Sequence, residues 1–133
     1  VIAYDATQRI RPVSTKAIIE RIHSHGRAAM ADCSIISDAE QALAEGADVV
    51  GSTLAGYTGP VEPTEPDFAL MAAMRKLTPH VVAEGNVRTP AQAQQALASG
   101  ASMVVVGSAI TRPEYVTSWF RSALDETIAK AGA

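Results

Sequence analysis

Two carboxylates in the sequence directly follow short apolar runs. Glu84 follows Val-Val-Ala, and Asp32 follows Ala-Met-Ala. Ligands of parallel α/β sheets gather at the carboxyl ends of the strands, where a partly desolvated carboxylate can exchange a proton with a substrate. We therefore predict that Glu84 is a catalytic acid/base and that Asp32 assists it as a hydrogen-bond acceptor. The alternative for Glu84 is a carboxylate that only orients substrate hydroxyls.

Two glycine-containing pairs suit a different task, the binding of an anion. Gly85-Asn86 and Gly107-Ser108 lie just beyond the last two apolar runs. Glycine lets backbone N–H groups approach an anion without an intervening side chain, and barrels often hold phosphate in the loops after strands 7 and 8. These four residues are candidate phosphate ligands. Packing alone is the other explanation for a glycine at the end of a buried strand.

Polar side chains also follow the remaining apolar runs. Arg112 lies just past the last run and could hold an anionic group with two parallel hydrogen bonds. Asp5 follows the first run, while Thr53 and Tyr57 come at and after the end of the third. We expect these four residues to bind substrate.

The elements that position these residues form a unit that repeats five times. In each unit an apolar run is followed by an amphipathic helix with a capping residue. The runs do not alternate apolar with polar residues, which is typical of a parallel sheet that is covered on both faces. The five runs are residues 1–4, 28–31, 48–54, 80–83 and 102–106.

Capping patterns predict where the helices begin and end. In the last helix, Val116, Phe120 and Leu124 recur at every fourth position, which predicts one core-facing stripe. Glycines predicted to end helices in a left-handed conformation are Gly26, Gly46 and Gly100. Predicted N-caps are Ser14, Thr64 and Thr111, and predicted capping boxes join Ser37 to Glu40 and Thr89 to Gln92.

The chain has 133 residues, and we interpret residues 1–133 as a single domain because no linker interrupts the repeat. Five units complete a flavodoxin-like open parallel sheet. They also make up about five of the eight units of a (β/α)8 TIM barrel, at roughly 31 residues per unit. The length favours the open sheet, whereas the residues after the strands favour a partial barrel.

Composition excludes several classes of partner. A formal net charge of −3 gives no basic surface for nucleic acid, and no apolar run approaches the ~20 residues that cross a membrane. Cys33 is the only cysteine, which excludes a disulfide framework, and we expect it to be buried in a strand. The three histidines lack metal-site spacing, so we predict no metal ligands. We expect a cytoplasmic protein.

Six segments of the sequence resemble the N-acetylmannosamine-6-phosphate 2-epimerase family of bacterial sialic-acid catabolism. The two most specific are Val-Ala-Glu-Gly-Asn at 82–86 and Val-Val-Gly-Ser-Ala-Ile-Thr-Arg-Pro at 105–113. The others are residues 1–7 followed by Arg11-Pro12, and residues 30–34, 51–58 and 65–67. The family fold is a (β/α)8 barrel, so the resemblance implies that the five runs are its strands 4 to 8. This chain departs from the family's usual arginine at Asn86 and serine at Ala55.

The resemblance implies that the full-length protein is an isomerase. The family reaction interconverts N-acetylmannosamine 6-phosphate and N-acetylglucosamine 6-phosphate by proton transfer at C2 of the ring-opened sugar, without a metal or organic cofactor. The resemblance makes Glu84 the acid/base or ring-opening group and has Asp32 and Arg112 contact the sugar. It also has the backbone of the two glycine-containing pairs hold the phosphate.

The family uses a lysine at the end of strand 3 as its principal proton-transfer residue. The lysines of this chain are Lys16, Lys76 and Lys130, all in predicted helices. We therefore expect the 133 residues to be the carboxyl-terminal part of a phosphate-binding barrel, preceded by about three further βα units and inactive alone. The unpaired edges of a partial sheet favour association, and a homodimer is one expected form.

Two other classes of protein remain as alternatives. Another phosphosugar barrel enzyme, such as a ribulose-phosphate epimerase or a thiamine-phosphate synthase, would share the glycine-containing phosphate loops but not the Gly-Tyr-Thr and Ala-Ile-Thr-Arg-Pro segments. A receiver-like signalling module would need an acidic pair after the first strand, an aspartate after the third and a lysine after the fifth. The chain has Asp5, Thr53 and Ser108 at these positions.

Overall fold

Parallel strands alternate with helices throughout the computed structural model, which describes residues 1–60 and 63–131. The strands are β1 (Ile2–Asp5), β2 (Ala29–Asp32), β3 (Val49–Gly51), β4 (Val81–Ala83) and β5 (Met103–Val104). The helices are α1 (Thr15–Ser24), α2 (Ile36–Glu45), α3 (Phe68–Arg75), α4 (Pro90–Ala98), α5 (Ser108–Thr111) and α6 (Pro113–Ala131). Each strand lies within a predicted apolar run or extends one residue beyond it.

The strand order distinguishes between the two predicted architectures. All four pairings are parallel, and the order in the sheet is β1-β2-β3-β4-β5, the same as the order along the chain. A flavodoxin-like sheet reverses direction and has the order 2-1-3-4-5, so that alternative is wrong. Helices α1 to α4 contact one another in sequence order and therefore cover one face of the sheet. The fold is five consecutive βα units of a (β/α)8 barrel.

The two faces of the strands carry separate apolar clusters. Side chains alternate between the faces of a strand, so Ala29 and Ala31 point towards the helices while Met30 points to the opposite side. The helix-facing core includes fully buried Met71 and Met74. Met30 packs with Val49 and Val82 in a second cluster, on the face that would line a barrel interior.

Several predicted helix ends are confirmed. The Ser14 hydroxyl accepts a hydrogen bond from the Ala17 N–H at 3.2 Å. The Thr89 hydroxyl accepts from the Gln92 N–H at 3.2 Å, and the Gln92 amide oxygen accepts in return from the Thr89 N–H at 3.1 Å. The predicted left-handed glycines Gly26, Gly46 and Gly100 all have positive φ angles.

Two predicted caps are wrong because nearby aspartates take the role. Helix α2 begins at Ile36, before Ser37, and the Asp38 carboxylate accepts from the N–H groups of Ser34 at 2.9 Å and Ile35 at 3.1 Å. Helix α3 begins at Phe68, and the cap is Asp67 instead of Thr64. A carboxylate accepts stronger hydrogen bonds from backbone N–H groups than a hydroxyl does.

The predicted stripe of the last helix is not part of the core in the described residues. Phe120 is 71% exposed and Leu124 is 64% exposed. Thr111 ends the short helix α5, and its hydroxyl donates to the Gly107 carbonyl oxygen instead of capping α6. A membrane-crossing helix would need a longer apolar stretch than any helix in the described part of the chain provides.

Candidate functional site

A pocket of about 630 Å³ opens beside the carboxyl ends of β3, β4 and β5. The polypeptide segments that form it follow each of these strands, and helix α6 closes one side. Such a place is where ligands bind in parallel α/β folds. Its polar and aromatic wall consists of Thr53, Tyr57, Glu84, Asn86, Arg88, Ser108, Arg112, Tyr115 and Trp119, with Gly85 and Gly107 supplying backbone.

Thr53 joins the two predicted catalytic carboxyl groups. Its Oγ1 lies 2.8 Å from Asp32 Oδ1 and 3.2 Å from Glu84 Oε2. Asp32 and Glu84 follow β2 and β4, the two neighbours of β3, so their side chains meet on either side of Thr53. All three residues are half-buried. Glu84 and Thr53 line the pocket, while Asp32 lies behind Thr53.

Ser52 fixes the backbone of Glu84 from beneath. Its side chain is fully buried, and its hydroxyl donates to the Glu84 carbonyl oxygen at 2.9 Å. The Glu84 N–H lies 3.2 Å from the same hydroxyl oxygen. The peptide groups around Glu84 are therefore held against the end of β3. The Glu84 side chain points into the pocket from a backbone whose position is fixed.

Asp32 holds its proton to a higher pH than an exposed aspartate does. Burial raises the pKa of Asp32, the hydrogen bond from Thr53 opposes that rise, and the negative charge of Asp5 adds to it. Desolvation disfavours the ionised form of any carboxyl group. Asp32 is thus suited to share a proton with its neighbours.

Asp5 is engaged in its own loop and does not line the pocket. Its Oδ1 accepts hydrogen bonds from the Thr7 N–H at 2.9 Å and the Thr7 hydroxyl at 2.6 Å, and its Oδ2 lies 2.6 Å from Arg9 Nη2. Burial favours the neutral acid, but these hydrogen bonds and the charges of Arg9 and Arg11 outweigh it and lower the pKa of Asp5. Asp5 therefore lies beside Asp32 in the sheet but outside the pocket.

The loop after β4 brings Asn86 and Arg88 to the pocket wall. Gly85 and Asn86 both have positive φ angles, 102° and 56°, which turn the chain sharply after Glu84. The Asn86 amide donates to the Tyr57 hydroxyl at 3.3 Å, and the Arg88 guanidinium donates to the Asn86 amide oxygen at 3.0 Å. The predicted residues Tyr57 and Asn86 are therefore neighbours.

Arg88 and Trp119 are pocket residues that the sequence reasoning missed. The Arg88 guanidinium carbon lies 5.1 Å from the centroid of the Trp119 ring, close enough for a cation–π contact. Only the nearness of Arg88 to Glu84 in the chain could have pointed to it. Nothing local in the sequence marks Trp119, which reaches the pocket from helix α6.

Arg112 stands on the wall formed by the segment between α5 and α6. Its guanidinium hydrogen-bonds to the Glu114 carboxylate and lies 4.6 Å from the centroid of the Tyr115 ring. The side chain is more than half exposed, so the ion pair with Glu114 is open to competition from an anionic ligand. Gly107 and Ser108 line the pocket one helical turn before it.

Fold and pocket together define the class: consecutive βα units of a (β/α)8 barrel, with carboxylates and arginines at the carboxyl ends of the strands. The model of the family described as "Putative N-acetylmannosamine-6-phosphate epimerase" matches residues 1–126. The chain belongs to this family.

Individual relatives agree with the family match. Proteins named "Putative N-acetylmannosamine-6-phosphate 2-epimerase" from Edwardsiella ictaluri and Klebsiella pneumoniae are 51% and 47% identical over 93% and 98% of the chain, and the matches cover 53% and 56% of those proteins. The solved N-acetylmannosamine-6-phosphate 2-epimerase from Clostridium perfringens superposes with a TM-score of 0.86 at 39% identity, over 91% of this chain and 55% of that one. The chain spans about half the length of the curated relatives it matches.

Proposed function

We propose that the complete protein is an epimerase that interconverts N-acetylmannosamine 6-phosphate and N-acetylglucosamine 6-phosphate in the cytoplasm. The observation that carries the proposal is the family match over residues 1–126. The pocket supports it, because the Glu84 carboxyl group and the guanidinium groups of Arg88 and Arg112 all line it. A sugar phosphate needs both kinds of group, one for proton transfer and one for its charge.

The proposed reaction inverts the carbon that carries the N-acetyl group. In the open-chain sugar this carbon is next to the aldehyde, so its proton can leave when the resulting enolate is stabilised and an acid/base is in place. Return of a proton to the opposite face gives the epimer. The exchange of protons is balanced and requires neither oxidant nor reductant.

Glu84 is the acid/base or ring-opening group in this proposal, and Asp32 assists it through Thr53. Glu84 is half-buried, its backbone is held by Ser52, and its side chain faces the pocket. Such a group exchanges protons with a bound sugar without moving far. Lys16, Lys76 and Lys130 do not line this pocket, so in this proposal Glu84 takes the role of proton-transfer group.

The phosphate group is held where the two arginines and the glycine-containing pairs face the pocket. Arg88 and Arg112 supply positive charge, and a guanidinium can bind phosphate with two parallel hydrogen bonds. Backbone N–H groups at Gly85, Asn86, Gly107 and Ser108 complete the phosphate site. Tyr57, at the pocket edge beside Asn86, binds the sugar.

An isotope experiment tests the proposal most directly. The complete reading frame is expressed, and the purified protein is incubated in D2O with N-acetylmannosamine 6-phosphate while proton NMR follows the sugar. We expect N-acetylglucosamine 6-phosphate to form with deuterium at C2, and Glu84→Gln to slow its formation by at least 100-fold.

Two parallel incubations serve as controls. Unphosphorylated N-acetylmannosamine is expected to react far more slowly, because it lacks the charged group that the arginines bind. Ribulose 5-phosphate is expected not to react. Turnover of ribulose 5-phosphate without turnover of the amino sugar would replace the proposal with a different phosphosugar barrel enzyme.

A further inference from the structure

Thr53 places one hydroxyl group between two carboxyl groups that come from different strands. Its oxygen lies 2.8 Å from Asp32 Oδ1 and 3.2 Å from Glu84 Oε2. The distance to Asp32 is typical of an O–H···O hydrogen bond, and the distance to Glu84 is slightly longer than typical. A threonine hydroxyl, however, has a single proton to donate.

Counting the protons shows which ionisation state this geometry suits. When both carboxyl groups are ionised, Thr53 can donate to only one of them, and its oxygen faces the other with no proton between them. When one carboxyl group is protonated, it donates to Thr53, and Thr53 donates to the remaining carboxylate. Asp32, Thr53 and Glu84 then form a row of hydrogen-bonded oxygens in which each oxygen has a partner. Two negative charges no longer face each other.

The packing around Thr53 maintains this arrangement. A Cβ atom at Gly51 would lie 3.2 Å from the Thr53 hydroxyl oxygen and 2.7 Å from Met30 Cε, so the lack of a side chain there leaves room for the row. The Ser52 N–H donates to the Val82 carbonyl oxygen at 3.1 Å. Thr53 therefore leaves the sheet from a fixed position between the two carboxyl groups.

We propose that Thr53 is a positioning residue through which Asp32 and Glu84 share one proton. The inference rests on the proposed function only in the use made of the proton: Asp32 donates it to Thr53 while Thr53 donates its own proton to Glu84, and Glu84 then gives a proton to the sugar. The number of protons is conserved, because Asp32 is left as the carboxylate. Thr53 acts through the carboxyl groups: its hydroxyl gives one proton and takes up another, and it is unchanged at the end.

The surroundings of the row favour a shared proton over full ionisation. Asp32 is partly desolvated, and the ionised Asp5 lies near it. Cys33 and Tyr4 lie in the helix-facing core, on the other face of the sheet, and are uncharged because burial raises the pKa of both groups. On the side of Glu84, the charged groups that line the pocket are Arg88 and Arg112.

The test uses Thr53→Val and Thr53→Ser in the complete protein. Valine keeps the shape of threonine and removes the hydroxyl, whereas serine keeps the hydroxyl. We expect Thr53→Val to lower kcat by 10-fold to 100-fold with less than a threefold change in KM, and to shift the acidic limb of the kcat pH profile. Thr53→Ser is expected to restore that profile.

Carbon-13 NMR of labelled Asp and Glu side chains gives a readout that does not depend on turnover. In the unmodified protein, the Asp32 and Glu84 carboxyl carbons are expected to titrate together in two steps, and in Thr53→Val separately. Thr58→Val is the matched control, because the Thr58 hydroxyl lies 2.6 Å from the Ser34 hydroxyl and, among the described residues, joins no carboxyl groups. It is expected to keep the coupled titration. Should Thr53→Val not fold, Thr53→Ala carries the same expectations.

Several outcomes would overturn the inference. Independent titration of the Asp32 and Glu84 carboxyl groups in the unmodified protein would overturn it. A Thr53→Val variant with a raised KM and an unchanged kcat would also overturn it. A pH profile that is the same in Thr53→Val and in the unmodified protein would show a merely structural role. Coupled titration in a protein without epimerase activity would instead support the inference and reject the proposed function.

Discussion

The Arg88 guanidinium carbon lies 5.1 Å from the centroid of the Trp119 ring, and the same guanidinium donates to Asn86 at 3.0 Å. These two contacts hold the Arg88 guanidinium between Asn86, in the same loop after β4, and Trp119 on helix α6. Asn86 is neutral and Trp119 is aromatic, so neither contact neutralises the charge. Arg88 therefore presents a positive charge to the pocket at a defined place.

We expect Arg88→Gln to weaken the binding of a phosphorylated sugar. A hydrogen bond to a charged group contributes about 1.5–3 kcal/mol, which corresponds to a roughly 10-fold to 100-fold rise in KM. Initial rates at varied N-acetylmannosamine 6-phosphate concentration measure the effect. Arg121→Gln is the control, because Arg121 is exposed on α6, pairs with Asp125 and does not line the pocket. Equal KM values for Arg88→Gln and Arg121→Gln would show that Arg88 does not bind the phosphate group.

Gly85 should be essential for the position of Glu84, and Gly46 provides a matched comparison. Their φ angles are 102° and 104°, and a Cβ atom at either glycine would meet no atom closer than 3.5 Å. Alanine at either position therefore costs about 1–2 kcal/mol in backbone strain without a steric clash. We expect similar losses in the free energy of unfolding, measured by urea titration.

The two variants are expected to differ in activity. Gly85→Ala should lower kcat/KM by at least tenfold, since relaxation of the strained turn moves the adjacent Glu84 carboxylate. Gly46→Ala should retain kcat/KM, because Gly46 ends helix α2 away from the pocket. Equal losses of activity in the two variants would show that only overall stability had changed.

The features that the sequence predicts correctly are those that local interactions determine. The end of β4 before Glu84 and the capping box from Thr89 to Gln92 each depend on residues a few positions apart. Whether Thr64 or Asp67 caps helix α3 depends on the path of the loop before the helix. Neither residue determines that path. Local signals therefore give the positions of the elements more reliably than their boundaries.

Features that depend on distant contacts could not be predicted from local patterns. Length allowed both an open sheet and a partial barrel; the residues after the strands and the family resemblance favoured the barrel, and the order of the strands confirms it. Arg88 and Trp119 meet across the pocket although they belong to different βα units. The spacing of Phe120 and Leu124 predicts a core-facing stripe, which is wrong because both side chains are exposed in the described structure.

Cys33 is expected to be unreactive in the native protein. Its side chain is fully buried, and burial, with a smaller contribution from Asp38, raises the pKa of its thiol to about 12. Only the thiolate reacts with alkylating reagents. Peptide mass spectrometry after iodoacetamide treatment at pH 8 should show Cys33 modified at least 100-fold more slowly in the native protein than in urea. Equal rates would contradict the buried position of Cys33.

His23 and Asp48 link α1 to the start of β3, and this contact should make stability depend on pH. His23 Nε2 lies 2.8 Å from Asp48 Oδ2, which also accepts from the Ala29 N–H at 2.8 Å. The hydrogen bond with His23, followed by that from Ala29, lowers the pKa of Asp48 below its usual 3.8. A lowered pKa in the folded state means that the stabilisation is present above pH 3.8 and is lost as the pH falls through the folded value.

We expect Asp48→Asn to reduce the free energy of unfolding at pH 6 by about 1 kcal/mol, since the ionised acceptor is lost at a partly exposed site. The difference from the unmodified protein should shrink as the pH falls below 3.8, measured by urea unfolding down to the most acidic pH at which both proteins are folded. Asp125→Asn is the control, because the exposed pair of Arg121 and Asp125 is 3.6 Å apart and contributes little at any pH. A constant difference across this range would show that Asp48 stabilises the fold by its shape and not by its charge.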